Sequence, residues 1–238
     1  LRLPGWPANH DGYRIGLVAD SHVRDRETIG LTRDALEFLV KERPDVIAFA
    51  GDTVAYWKPG VELMLAEALA PLRDADIPCV AVPGNHDYFG DDPDRLIPIF
   101  ERYSIRLLRN EATEVAGVNW VGVDSAGMGY ADPYTAIRQC DPSKPTVVLW
   151  HEPDMVDYLP RGPELMLSGH SHGGQFTTPW GWAPMKSRLG ENYLRGFYPD
   201  APVPIYVSRG LGTTGPPARL FCTPEVTLIT VRATTTGP

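Results

Sequence analysis

Five of the six histidines in this 238-residue chain close apolar runs or stand in the short polar turns that follow them. They are His22 in Asp20-Ser21-His22, His86 in Gly84-Asn85-His86-Asp87, His151 after TVVLW, and His170 and His172 in Gly169-His170-Ser171-His172. Gly51-Asp52 ends a further run, VIAFA. Imidazole and carboxylate without thiolate suit manganese, iron, zinc or cobalt rather than an all-oxygen magnesium site. Asp20 and His22 are two apart, so on an extended segment they point to one side and can grip one cation. Asp52 has two oxygens and can bridge two cations, while Asn85 adds a neutral amide oxygen. His170 and His172 share one glycine-rich turn, which can serve two cations roughly 3.5–4 Å apart, the spacing of two-metal hydrolases. The excess positive charge of such a pair attracts phosphate and stabilises hydroxide near neutral pH. Each piece alone is also an ordinary Asx turn, helix cap or tight loop. Recurrence at five strand ends is what points to a site. His10 stays outside the set and reads as a solvated loop residue.

The elements that must position these residues alternate strand and helix in the first half. YRIGLVAD reads as a strand, TIGLTRDALEFLVKER as an amphipathic helix, VIAFAGD as a strand with both faces covered, VELMLAEALAPLRDA as a second helix, and PCVAVPGNHD as a strand and turn. That order implies βαβ units and a parallel sheet, with ligands gathering beyond the carboxyl ends of the strands. Later, TEVAGVNWVGVD reads as a hairpin turning near Gly117, and TVVLWHEP, ELMLSGH, IYVSRGLG, ARLFCTP and EVTLITVR as strands. Residues 173–204 read as loop, with Trp180, Trp182, Tyr193, Phe197 and Tyr198. That aromatic stretch is a substrate lid, a lipid-facing patch, or a satellite cluster holding a long loop down. A single α/β domain over residues 1–238, two sheets packed together with helices outside, is expected.

Composition narrows the class. Hydrophobic residues at 43% and charged residues at 22% are ordinary for a soluble globular chain, and 23 glycines with 24 prolines favour short elements. A net charge of −8 argues against a surface that coats nucleic acid. Three scattered cysteines without a CxxC pair support neither a disulfide framework nor a zinc knuckle. No run approaches the roughly 18 apolar residues that span a bilayer. The chain begins at Leu1, so removal of an upstream export signal or anchor stays open, as do cytoplasmic and membrane-associated locations in a bacterium.

Together the blocks from Asp20 to His172 resemble the calcineurin-like metallophosphoesterase family. The resemblance implies a four-layer αββα sandwich of two mixed sheets with a dinuclear metal centre at one edge. It places Asp20, His22, Asp52 and His172 on one ion, and Asp52, Asn85, His151 and His170 on the other. His86 then faces the substrate as general acid or transition-state stabiliser, held by Asp87. GHSHGGQ, YVSRGLG and RLFCTPEVTLITV are similar to a bacterial branch that includes phosphodiesterases of the UDP-2,3-diacylglucosamine pyrophosphatase type. Members of that branch commonly carry an N-terminal anchor or export signal. The implied reaction is hydrolysis of a phosphodiester or pyrophosphate bond by a metal-bridging hydroxide, on a small-molecule or lipid-linked phosphoester. Arg209 is either a phosphate clamp or a solvated strand-end arginine. Competing functions are a phosphomonoesterase or nuclease on the same centre, or a non-catalytic binding module. The nuclease needs a basic groove, which no Lys/Arg cluster offers. The binding module would lack ligands that are all present.

Overall fold

Successive side chains of a strand face opposite ways, and here the strands that lead to the expected ligands bury both faces. The computed structural model describes residues 1–234. Its strands are β1 (Arg2–Leu3), β2 (Arg14–Val18), β3 (Val46–Ala50), β4 (Cys79–Val82), β5 (Ile105–Leu107), β6 (Glu111–Val115) and β7 (Val118–Val123). There follow β8 (Thr146–Trp150), β9 (Leu165–Ser168), β10 (Gly196–Tyr198), β11 (Ile205–Val207), β12 (Thr227–Thr230) and β13 (Arg232–Ala233). The helices are α1 (Arg26–Glu42), α2 (Val61–Ala68), α3 (Ile97–Phe100) and α4 (Pro133–Ile137).

Two mixed sheets result, one ordered β12-β2-β3-β4-β5 and the other β10-β11-β9-β8-β7-β6. Strands β2 to β5 run parallel, as do β7, β8, β9 and β11, with antiparallel strands β12, β10 and β6 at the edges. Ile15, Leu17, Ala48 and Val80 of the first sheet meet Trp120, Val147, Leu149 and Leu167 of the second in one buried core. The alternate residues Val18, Ile47 and Phe49 pack outward with Leu36, Leu39 and Leu65 of the helices, and Val148, Trp150 and Met166 pack outward with Ala136 of α4. That is the expected four-layer sandwich. Trp120 is fully buried between the sheets with its indole N–H 3.3 Å from Tyr13 Oη, and truncating such a side chain to alanine costs about 3–5 kcal/mol.

Helix α1 starts where Asp25 Oδ1 accepts the Thr28 N–H at 2.9 Å and Thr28 Oγ1 accepts the Asp25 N–H at 3.2 Å, a reciprocal cap. The hairpin turns at Ala116-Gly117 as expected, both residues at positive φ. Three expectations need correction. Helix α2 stops at Ala68 instead of reaching Ala75, because Pro71 has no N–H to continue the ladder. ARLFCTP is no strand: Leu220 makes a single bridge to Phe176. The 173–204 segment is not all loop, since β10 pairs with β11 there.

Candidate metal centre

Parallel neighbours end at the same edge, so the turns after β2, β3, β4, β8 and β9 converge. Their backbone is strained. Asp20, His22, Asp52, His170 and His172 have φ between 44° and 68°, five of the twelve non-glycine residues with positive φ among the described residues. Such conformations cost of order 1–3 kcal/mol each and persist where the surroundings over-determine them. Asp20 and His22 therefore do not lie on an extended segment, contrary to the sequence expectation. Asp20 N–H donates to Gly51 O at 3.0 Å and His22 N–H to Asp52 O at 2.9 Å, lacing the first two turns together. Gly84 is required by proximity, because a Cβ there would overlap the Asp52 carboxylate.

Asp20, His22, Asp52 and His172 each place one ligand atom within 4.8 Å of the others, and so do Asp52, His151 and His170. Asp52 belongs to both groups. Its Oδ2 is 3.4 Å from His22 Nε2 and 3.2 Å from His151 Nε2, while Oδ1 accepts the His86 N–H at 2.8 Å. His22 Nε2 and His172 Nε2 are 3.1 Å apart, His172 Nε2 is 3.5 Å from Asp20 Oδ1, and His170 Nδ1 is 3.3 Å from His151 Nε2. Lone pairs at such distances repel unless a proton or cation lies between them. Asn85 Oδ1 is buried without a hydrogen-bond partner, the kind of orphan acceptor that a cation satisfies.

The rings are fixed from behind. His151 Nδ1 donates to Ala50 O at 2.7 Å, which leaves the Nε2 lone pair for the cluster, and His170 Nε2 donates to Arg188 O at 2.7 Å, which leaves Nδ1. Burial pushes His22 down to about 3 despite the Asp52 charge. Burial also lowers His172, helped by His22 and Arg219, and lowers His170, helped by His151. All three shifts favour the neutral imidazole, the form in which histidine binds a metal. At His151 burial is outweighed by the Asp52 carboxylate, which raises it well above 6.5, and His151 in turn holds Asp52 well below 3.8 against burial. Burial lifts Asp20 to about 7. A cation competes with protons at both sites.

A family model described as calcineurin-like phosphoesterase matches residues 13–174, a span that holds Asp20, His22, Asp52, Asn85, His151, His170 and His172. The chain belongs to this family. Over 235 residues it is 31% identical to the phosphodiesterase YaeI of Escherichia coli, covering 96% of this chain and 85% of that one. It is 26% identical over 288 residues to the UDP-2,3-diacylglucosamine pyrophosphatase LpxG of Chlamydia muridarum, covering 96% and 86%. A dimetal phosphatase from Danio rerio shares the fold at a TM-score of 0.55 and 11% identity, covering 84% of this chain and 88% of that one. Members of the family use divalent metal ions, and the carboxylate–imidazole cluster fits two of them.

In this phosphoesterase His86 Nδ1 donates to Ala55 O at 2.9 Å, and its ring meets His22 edge-on with centroids 4.5 Å apart. The expectation that Asp87 holds that ring is corrected. Asp87 Oδ1 accepts the Val54 N–H at 3.0 Å and Oδ2 the Gly84 N–H at 2.8 Å, so its carboxylate braces two of the site's turns. Arg209 is not free to clamp phosphate through Nε, which Glu225 Oε2 accepts at 2.5 Å. The guanidinium at the cluster is Arg219. Its Nη2 donates to Gly212 O at 2.6 Å and Arg209 O at 2.7 Å, and stands 3.3 Å from His172 Nδ1. Thr214 Oγ1 lies 3.2 Å from His172 Nε2 and 3.4 Å from His22 Nε2. Sequence reasoning misses Arg219 and Thr214, and the glycine and proline density of GLGTTGPPARL is the one local signal of a tight, close-approaching loop. His10 is half-buried rather than solvated, with its ring edge-on to Trp6.

Proposed function

We propose that this phosphoesterase hydrolyses a phosphodiester or pyrophosphate bond, using two divalent ions drawn from manganese, iron, zinc and cobalt. The observation that carries the reading is the placement of Asp52 Oδ2 between two ligand groups, 3.4 Å from His22 Nε2 and 3.2 Å from His151 Nε2. Asp20, His22, Asp52 and His172 hold one ion, and Asp52, Asn85, His151 and His170 hold the other. Ions there supply Lewis acidity to phosphoryl oxygens and make water nucleophilic near neutral pH. The protein's part is orientation. Ala50 O and Arg188 O fix the tautomers of His151 and His170, and Arg219 ties the 209–212 backbone behind His172.

His86 is the group that protonates or stabilises the leaving oxygen. The Nδ1–H donates its hydrogen bond to Ala55 O, so Nε2 is the nitrogen left to meet the leaving oxygen. Asp87 is a positioning residue for the turns at Val54 and Gly84. The relatives named phosphodiesterase and pyrophosphatase support the diester and pyrophosphate classes over the monoester.

The test is turnover of bis(p-nitrophenyl) phosphate, p-nitrophenyl phosphate and a nucleoside diphosphate ester by protein reconstituted with each of the four metals. Faster turnover of the diester or the pyrophosphate is expected. Preference for the monoester makes this a phosphomonoesterase, and no turnover with any metal makes it a binding module.

A further inference from the structure

The chain has six tryptophans, and four of them, Trp6, Trp57, Trp120 and Trp150, are buried. The other two stand out into solvent on one short turn: Trp180 is 81% exposed and Trp182 61%. Met185, Leu220 and Phe221 are also exposed, and the 214–221 segment is hydrogen-bonded to the residues that lead into this turn. Phe176 bridges Leu220, Thr177 N–H donates to Leu220 O at 2.9 Å, and Gln175 Nε2 donates to Thr214 O at 2.8 Å. The tryptophan turn is not loose. Thr178 N–H donates to Trp182 O at 2.8 Å, Trp182 N–H to Thr178 Oγ1 at 3.0 Å, and Arg195 joins Gly181 O to Gly173 O at 2.6 and 2.8 Å.

We propose that the Trp180, Trp182, Met185, Leu220 and Phe221 surface docks this phosphoesterase on a lipid bilayer and presents its metal centre to a lipid-linked phosphoester. Rigid aromatic and aliphatic side chains on a turn are suited to the headgroup–acyl boundary, where tryptophan has an apolar body and a polar N–H to place. Charge agrees with that occupant. The chain is −8 overall, yet residues 176–190 hold two basic residues, Lys186 and Arg188, and no acidic one. Lys186 and Arg188 are exposed beside the patch, and Lys186 Nζ contacts a backbone carbonyl, Glu191 O, at 2.7 Å. Basic residues there favour an anionic leaflet.

The patch is continuous with the chemistry. One cleft of about 220 Å³ is lined by His172, Gln175 and Thr214 at the cluster and by Phe176, Met185 and Lys186 toward the patch. A phosphoester bound at the cluster can extend its apolar portion along this cleft into the bilayer. The inference rests on the proposed hydrolysis of a phosphoester, and its test separates the two.

The experiment measures partition of the full chain onto phosphatidylcholine vesicles with and without phosphatidylglycerol, by sedimentation and tryptophan emission. Wild type should bind the phosphatidylglycerol vesicles with blue-shifted emission, and W180S/W182S should bind about tenfold more weakly or worse. K186Q should weaken only the phosphatidylglycerol-dependent part. Both tryptophan forms should turn over soluble bis(p-nitrophenyl) phosphate equally, which also shows that the variant folds. Quenching of wild-type emission by brominated lipid gives a readout that needs no variant. No binding of wild type to either vesicle, or equal binding by W180S/W182S, overturns the docking surface while leaving soluble turnover to judge the hydrolase. Self-association of wild type without lipid, abolished in W180S/W182S, overturns it in favour of a second copy on the patch.

Discussion

Nε2 of His151 stands 3.2 Å from Oδ2 of Asp52, and the two residues follow strands of different sheets, β8 and β3. The same oxygen lies 3.4 Å from Nε2 of His22. One carboxylate thus joins two groups of candidate ligands and both halves of the sandwich, so the cluster sits where the sheets meet.

His86 contributes its ring to the site, with Nδ1 engaged by Ala55 O. His86→Ala should keep the metal content of the wild type and lose about 10²-fold or more in kcat. Metal analysis and turnover on one sample check it, and full activity would remove His86 from the chemistry.

Asp87 accepts two buried backbone N–H groups, while the His86 ring is hydrogen-bonded to Ala55 O. Asp87→Ala should cost about 1–3 kcal/mol for each N–H left unsatisfied, seen as a lower Tm and weaker metal retention. The shape of the kcat–pH profile should stay that of the wild type. A profile altered as in a His86 variant would restore the ring-orienting role to Asp87.

Arg209 and Arg219 separate positioning from surface pairing. The Arg209–Glu225 pair is about a third exposed on the arginine side, and such pairs contribute about 0.2–1 kcal/mol, so Arg209→Ala should leave KM nearly unchanged. Arg219→Ala removes donors from Gly212 O, Arg209 O and His172 O. It should lower both thermal stability and metal affinity, with Arg219→Lys only partly restoring them because ammonium cannot span three carbonyls. Differential scanning fluorimetry with and without metal distinguishes the two arginines.

The cap of α1 supplies a pH-dependent prediction. Burial works to raise Asp25, but the Thr28 N–H and hydroxyl outweigh it and hold the carboxyl below 3.8. A depressed folded value gives stability that is complete above the unfolded value and fades as pH falls through the folded one. Asp25→Ala should therefore cost about 1 kcal/mol at neutral pH, and urea melts should show the gap closing below about pH 3.8. A gap that persists at low pH would mean that the cap's charge is irrelevant.

Much of this was legible because apolar runs ending in Asp or His report a strand and its turn together. VIAFAGD and TVVLWHEP gave β3 and β8 with Asp52 and His151 at their ends. The left-handed backbone at Asp20 and His22 is not legible, since few non-glycine residues adopt it even among Asp and His, and the packed turns are what enforce it. Arg219 escaped for another reason. Its partners are backbone carbonyls of a distant loop and of His172, which leave no side-chain pattern. Asp87 beside His86 suggested a pair, but the short helix there turns the carboxylate to the neighbouring N–H groups.

The most direct test is metal stoichiometry after reconstitution with manganese, measured on wild type and Asp52→Ala by native mass spectrometry. About two ions per chain in wild type and loss of both in the variant is the expected result, because Asp52 alone serves both groups. Wild type that takes up one ion or none, or a variant that retains two, would contradict a centre built around a shared Asp52 oxygen.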